Sequence, residues 1–355
     1  MGKYLRYILL FIVLATIFFG AGIGLAELRL RFFSPQKIII IPEKKAISAP
    51  EKTAKSVSAD NPVETTSLSE TENIEGSTEP TNSEEQKTFS FAILGDTQYF
   101  DNFLNFRSGL RRAVKNIQKE NPNLVFAVGD LVNSCDKKDK CQQKFNEWKK
   151  ATAPFSGHIY AAQGNHDRTG GEKADEAWNA SFNFPQNGPD GFRNMVYSFD
   201  YDNSHFVVLA SDKPKENNIN DAQRQWLEQD LAKNKKPNTF VFFHEPAYPV
   251  SSKIGESLDV NGGDRNNLWN ILVRHRVTAV FSGHEHIFSR KNINGVYQFV
   301  VGNTDSFNHE APKPGIAEYS HVGQHYVIVT VAGKKKTVKL YTVDGKPLNS
   351  FDFER

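Results

Sequence analysis

Residues 88–355 predict a layered α/β sandwich, with helices outside two packed sheets. Three observations carry that expectation. Helix and strand patterns alternate in the first half of this region, whereas hairpin patterns dominate the second, a mixture that suits helices layered on sheets. Leu124–Val128 is apolar throughout, as a strand buried on both faces should be. Three early strand patterns each end in glycine followed by polar residues, and the carboxyl ends of strands are where open α/β sheets gather their chemistry.

The elements follow in order. Phe89–Leu94 reads as a strand closed by Gly95-Asp96. Arg107–Glu120 reads as a helix with Leu110, Val114 and Ile117 on one stripe, stopped by Pro122. Leu124–Val128 ends in Gly129-Asp130, and a helix near Gln142–Lys150 follows. The strand Ile159–Ala162 leads into Gly164-Asn165-His166-Asp167. Met195–Phe199 and Ser204–Ala210 form a hairpin turning at Asp202-Asn203. Asp221–Leu231 is a helix with Asn220 as its N-cap, since a short amide side chain satisfies free N–H groups there. The strand Thr239–Phe243 ends at His244, and Asp264–His275 is a helix. Val277–Phe281 leads to Gly283-His284-Glu285-His286, and Tyr297–Val301 leads to Gly302-Asn303. Tyr326–Val331 and Thr337–Tyr341 form a late hairpin, Asp344-Gly345 makes a turn, and one short strand can close the chain.

The N-terminal region follows different rules. Ile8–Ala26 comprises 19 residues without a charge. As a helix it would span roughly 28 Å, close to the hydrocarbon thickness of a bilayer. We expect a short cytoplasmic head over 1–7, a transmembrane helix or signal anchor over 8–26, and a juxtamembrane and linker segment over 27–87. A cleaved signal peptide is the competing reading, although the apolar run is long for one. Ser56–Gln86 holds eight acidic residues and no basic one, too polar to offset its ordering entropy, so a disordered tether is expected. The chain is thus expected to be single-pass, to contact the bilayer through its N-terminal helix, and to hold its folded domain on the extracytoplasmic side. Outside the cytoplasm the spacing of Cys135 and Cys141 permits a small disulfide loop. With 43 basic and 41 acidic residues and no long basic run, no nucleic-acid-binding surface is evident, and no protein partner is predicted. Lys233–Lys236 and Lys334–Lys336 read as solvated turns.

The candidate metal ligands are Asp96, Asp130, Asn165, His244, His284 and His286, with Gln98 as a possible addition. Each lies at a predicted strand end. Carboxylate, amide oxygen and imidazole together suit manganese, iron or zinc, whereas calcium or magnesium would prefer oxygen throughout. Asp130 has two oxygens and can bridge a pair of ions.

The ordered blocks Gly95-Asp96-Thr97-Gln98, Gly129-Asp130, Gly164-Asn165-His166-Asp167, His244 and Gly283-His284-Glu285-His286 resemble the calcineurin-like metallophosphoesterase superfamily. The resemblance covers about Phe89 to Asn303, and the tail from Tyr326 resembles the closing strands of such domains. It implies a four-layer α/β/β/α sandwich of mixed sheets. It implies two divalent or trivalent transition-metal ions, one on Asp96, Asp130 and His286, the other on Asp130, Asn165, His244 and His284. It implies hydrolysis of a phosphate-ester substrate, mono- or diester, by metal-bound water or hydroxide. His166 is the implied catalytic residue outside the ligand set, donating a hydrogen bond or a proton toward the substrate. A catalytically inactive binding or scaffold domain on the same fold is the alternative function.

Two positions depart from the family pattern. Gln98 stands where the family often has histidine, which weakens the first site. Asn133 stands where one branch has aspartate and the purple acid phosphatase branch has a metal-binding tyrosine, so neither that charge nor a purple colour is expected. Asp167 is expected to fix its loop. Arg168 and Arg193 are considered for substrate phosphate. His309, His321 and His325 read as exposed loop and strand residues, and Ala247–Asn266 as a lid or specificity loop.

Overall fold

A computed structural model describes residues 88–99 and 108–354. The expected head, anchor and linker over 1–87 lie outside the described residues. Among those described, no helix is long and apolar enough to cross a membrane.

Thirteen strands and five α-helices are described: β1 Thr88–Leu94, α1 Gly109–Glu120, β2 Leu124–Val128, α2 Lys138–Ala151, β3 Ile159–Ala162, α3 Glu172–Ser181, β4 Tyr197–Tyr201, β5 Ser204–Val208, α4 Asp221–Lys233, β6 Asn238–Phe242, α5 Gly262–Arg274, β7 Ala279–Ser282, β8 Phe288–Ile293, β9 Val296–Val301, β10 Tyr319–His321, β11 His325–Ala332, β12 Lys335–Thr342 and β13 Pro347–Glu354. They build two mixed sheets, ordered β13-β12-β11-β1-β2-β3 and β10-β8-β9-β7-β6-β5-β4. In the first, β1, β2 and β3 are parallel, and β11 pairs antiparallel with β1. In the second, β5, β6, β7 and β9 are parallel.

The alternation of side chains along each strand sets the layers. Phe89, Phe91 and Ile93 of β1 join Phe126, Phe206, Phe240, Phe242 and Phe281 in an aromatic core between the sheets. Ala92 and Leu94, which point the other way, pack with Leu110 and Ile117 of α1. Val207, Val241 and Val280 of the second sheet pack with Leu227 of α4 and Leu268 of α5 in the same manner. Helices therefore cover the outer faces of both sheets. The caps follow local chemistry: Ser108 Oγ accepts from Arg111 at the start of α1, and Asn220 caps α4 through Gln223 as expected.

Several boundaries and elements differ from the sequence reading. The helix expected over 107–120 begins at Gly109, and the first hairpin strand is shifted to Tyr197–Tyr201. Helix α3 was not foreseen because its buried stripe is mostly Ala174, Ala177 and Trp178 in a polar run. Strand β8 was missed because its sequence, FSRKNI, lacks apolar alternation. The closing strand β13 is eight residues long rather than short, and pairs along β12. Lys336 is buried within β12 instead of lying in a solvated turn; its ammonium donates to the Lys334 carbonyl while its stem lies inside. Cys135 and Cys141 are joined in a disulfide, with Cα atoms 4.9 Å apart.

Two stability predictions follow from this packing. Phe126 is 1% exposed and stacks on Phe242 at 4.0 Å across the sheet interface. Phe126→Ala should cost about 3–5 kcal/mol, read as a lowered urea midpoint. His205 bridges Asp200 at 2.7 Å and Asp230 at 2.9 Å. Burial pulls the His205 imidazole down, but the bonds to Asp230 and Asp200 outweigh it, so its pKa is raised on folding. This contribution is full below about pH 6.5, the unfolded value, and is lost as pH rises through the folded pKa. Urea titrations of His205→Gln should show a flatter loss of stability on the alkaline side.

Candidate metal centre

The strand ends of β1, β2, β3, β6 and β7 bring the predicted ligands together. Asp96 follows β1 and Asp130 follows β2, and both take left-handed backbone angles, with φ of 51° and 52°. His284, after β7, has φ 66°. Such angles are uncommon outside glycine and gather at functional sites, where the surrounding structure imposes them. Here the imposing contacts are visible. Asp96 N–H donates to the Gly129 carbonyl at 3.1 Å, Thr97 N–H to the Asp130 carbonyl at 2.9 Å, and His284 N–H to the Asp96 carboxylate at 3.1 Å. Two glycines permit this close approach: a Cβ at Gly283 would collide with the Asp96 carboxylate, and one at Gly164 with that of Asp130.

The imidazoles are aimed by backbone carbonyls. His244 Nδ1 lies 2.8 Å from the Val128 carbonyl, so Nδ1–H donates there. Its Nε2 is left facing Asn165 Oδ1 at 3.1 Å and Asp130 Oδ1 at 3.4 Å. His284 Nε2 lies 3.1 Å from the Glu256 carbonyl, leaving Nδ1 for the centre. The two rings are 5.2 Å apart. His286 Nε2 lies 3.3 Å from Asp96 Oδ1. Gln98 Nε2 lies 3.5 Å from Asp130 Oδ2 and 3.3 Å from His286 Nε2, and its buried Oε1 has no partner. Asp96, Asp130 and His244 thus gather in one cluster, Asn165, His286 and Gln98 each lie within 3.5 Å of one of its members, and His284 meets it through its backbone N–H.

This donor set fits cations. Asp96 and Asp130 are 0% and 1% exposed, and among the described residues they pair only with histidines, never with lysine or arginine. Ligand atoms of Asp96, Asp130 and His244 all lie within 4.8 Å of one another. Burial pushes the Asp96 carboxyl up, against the pull of His286 and His244. Burial pushes Asp130 the same way, but His244 and His166 hold it well below the usual carboxylate range. Burial pulls the His244 imidazole down, and Asp130 more than offsets this, raising it to about 10. Burial holds His284 well below the imidazole range, with His244 adding to the effect. Nε2 of His244 thus faces two oxygens, a place that a cation could occupy.

His166 stands at the rim, with its side chain 39% exposed and Nε2 4.0 Å from Asp130 Oδ2. Its N–H donates to Asp130 Oδ1 at 2.9 Å, and its Nδ1 lies 2.8 Å from the Asn133 carbonyl. Asn133 thus orients His166 through its backbone. Its side chain turns away to accept from Lys144 at 2.7 Å. Asp167 accepts from Val132 and Gly164, which fixes the loop, and burial pushes its carboxyl up to about 7.

Other site contacts were not legible in the sequence. The His309 ring stacks on His286 with centroids 4.1 Å apart, which corrects its reading as an exposed loop residue. Ser306 Oγ lies 3.0 Å from His286 Nδ1. The buried Glu285 accepts from Val250 N–H at 2.8 Å, from Ser251 N–H at 2.5 Å and from the Ser251 hydroxyl at 2.8 Å. It pins the start of the 247–266 loop, whose Glu256 carbonyl then meets His284. Only the position of Glu285 between two candidate ligands gave any hint of this role. One open candidate is placed and one expectation is corrected. Arg168 is spent on Asp175 at 3.0 Å and the Asp212 carbonyl at 2.9 Å, so it supports the loop rather than facing the cluster. His325 is fully buried at the start of β11, where Nδ1 meets the Gly323 carbonyl.

Comparison with known proteins agrees with this fold. The profile of the calcineurin-like phosphoesterases matches residues 89–288, more than half of the 355-residue chain. Purple acid phosphatase 23 of Arabidopsis thaliana is 24% identical over 258 residues, covering 65% of this chain and 53% of that protein. Purple acid phosphatase 21 of the same plant is 28% identical over 211 residues, covering 56% and 44%. The chain thus spans about half the length of these curated relatives. Among solved structures, a purple acid phosphatase from yellow lupin (Lupinus luteus) seeds superposes with a TM-score of 0.61 at 19% identity, over 76% of this chain and 54% of that one. A dimetal phosphatase from Danio rerio superposes with a TM-score of 0.54 at 17% identity, over 75% and 98%. With the profile match over most of the folded region, the chain belongs to the calcineurin-like phosphoesterase family.

Proposed function

We propose that this chain is a dinuclear-metal phosphoesterase that hydrolyses a phosphate ester, acting on a mono- or diester. The observation that carries the reading is the bare convergence at His244: an imidazole nitrogen aimed at Asn165 and Asp130 oxygens by a bond from its far side. Orientation of ligating histidines by such second bonds is the usual support of a metal site. Asp96, Asp130 and His286 would hold one ion, with the Gln98 amide oxygen as a further donor. Asp130, Asn165, His244 and His284 would hold the other. Manganese, iron and zinc suit these donors. When bound, such cations supply Lewis acidity, neutralising charge on the phosphoryl oxygens and acidifying water.

The remaining work belongs to the chain itself. Asp130 Oδ1 accepts from the His166 N–H and faces His244, while Oδ2 faces Gln98, so this carboxylate would be shared by both ions. His166 keeps Nδ1 on the Asn133 carbonyl and presents Nε2 at the exposed rim. There it donates to a phosphoryl oxygen or passes a proton to the departing alcohol. Asn133 offers no tyrosinate, so the reading does not extend to the colour in the relatives' name. For the rest of the chain, the 88–355 domain is proposed to be held by the apolar 8–26 segment on the extracytoplasmic face of a bilayer.

Two outcomes test this. The full chain, purified in detergent and loaded with manganese, should hydrolyse 4-nitrophenyl phosphate or its bis-ester, and chelation should abolish turnover. Asp130→Asn should lower both metal content and rate, the latter at least about a hundredfold; full metal content at full rate would falsify the ligand assignment. His166→Gln should keep its metals by elemental analysis while kcat falls about a hundredfold or more. An unchanged kcat removes His166 from the chemistry.

A further inference from the structure

An aromatic shelf stands beside the proposed centre, and the chemistry above does not use it. Phe307 is 69% exposed, the most exposed of four large apolar side chains reaching solvent among the described residues. A lone exposed apolar residue is ordinary; the position of this one is not. Its ring lies 4.6 Å from that of Tyr99, tilted by 56°, so Tyr99 supports it while most of its surface meets solvent. Tyr99 follows Gln98, and its N–H donates to the Asp305 carbonyl at 3.1 Å, which ties the two loops together. On either side of Phe307, Ser306 and His309 both touch His286. The shelf is therefore fixed to the same histidine that is proposed to hold an ion.

The chemistry of its surroundings narrows the ligand. Among the described residues of this bank, Tyr99, Ser306, Phe307, Asn308 and His309 bring no lysine or arginine to hold a second phosphate. Lys253, whose charge acts on the His309 imidazole, is paired with Glu256 at 3.1 Å. An exposed phenyl ring, supported by a second ring, suits a flat and uncharged π system. We infer that Phe307, backed by Tyr99, stacks the planar ring of the substrate's esterified alcohol. The chain then prefers phosphate esters of nucleosides or aryl alcohols. This rests on the phosphoesterase reading.

The test compares the manganese-loaded full chain with Phe307→Ala and Phe307→Trp on AMP, phenyl phosphate and ribose 5-phosphate. Phe307→Ala should raise KM for the ring-bearing esters about tenfold, the loss expected for one stacked base, with kcat nearly unchanged. Ribose 5-phosphate should be unaffected, and Phe307→Trp should restore the ring-bearing esters. A selective loss on AMP assigns a nucleobase, and a selective loss on phenyl phosphate assigns an aryl group. Equal losses on all three, or none, overturn the inference. Saturation-transfer NMR with AMP separates it from the phosphoesterase reading. If no ester is turned over, base-proton transfer that disappears in Phe307→Ala keeps the stacking and rejects only the hydrolase. Equal transfer in both proteins rejects the stacking.

Discussion

Two carboxylates buried within reach of the same imidazole set the terms for this fold. Asp96 and Asp130 are almost wholly withdrawn from water and, among the described residues, pair with no lysine or arginine. Buried charge of one sign is costly unless something positive answers it. Histidines answer it in part. Everything around the pair, from the left-handed backbone to the glycines pressed against the carboxylates, serves to keep them where they repel each other. Such an arrangement makes physical sense as a cation cradle and little sense as a packing device.

The rigidity of that cradle comes from the main chain. Carbonyls of Val128, Asn133 and Glu256 each take one nitrogen of a site imidazole. A carbonyl at the end of a strand, such as Val128, moves only with its sheet. The sheets are in turn locked face to face by interleaved phenyl rings. Ring orientation at the site is thus inherited from the core, through single hydrogen bonds whose acceptors have no rotamers of their own. The covering loop is the less direct case, since its carbonyl depends on Glu285 for its place.

Much of this was legible in the chain because strand ends write themselves plainly. An apolar run followed by Gly-Asp or Gly-Asn marks both the exit of a strand and a donor beside it, and Asp96, Asp130 and Asn165 were singled out that way. The parallel strands β2 and β6 read correctly because they are buried on both faces. Strand β8 and helix α3 did not, since pairing with neighbours rather than local pattern decides them. His309, Ser306 and Arg168 escaped for a related reason. Their roles depend on which loop folds back on which, and sequence distance hides that: 23 residues separate His309 from the ring it covers. Asn133 taught the opposite lesson, because its backbone carbonyl, which no side-chain reading could reveal, meets the His166 ring.

The left-handed turns at Asp96, Asp130 and His284 also bear on how such a chain can drift over evolutionary time. At these backbone angles asparagine and glycine are tolerated, while valine, isoleucine or threonine would strain the turn whatever its chemistry. A descendant released from selection for its reaction would therefore accumulate Asn and Gly at the strand ends before it lost its shape. The outline of the cradle would outlive its occupants.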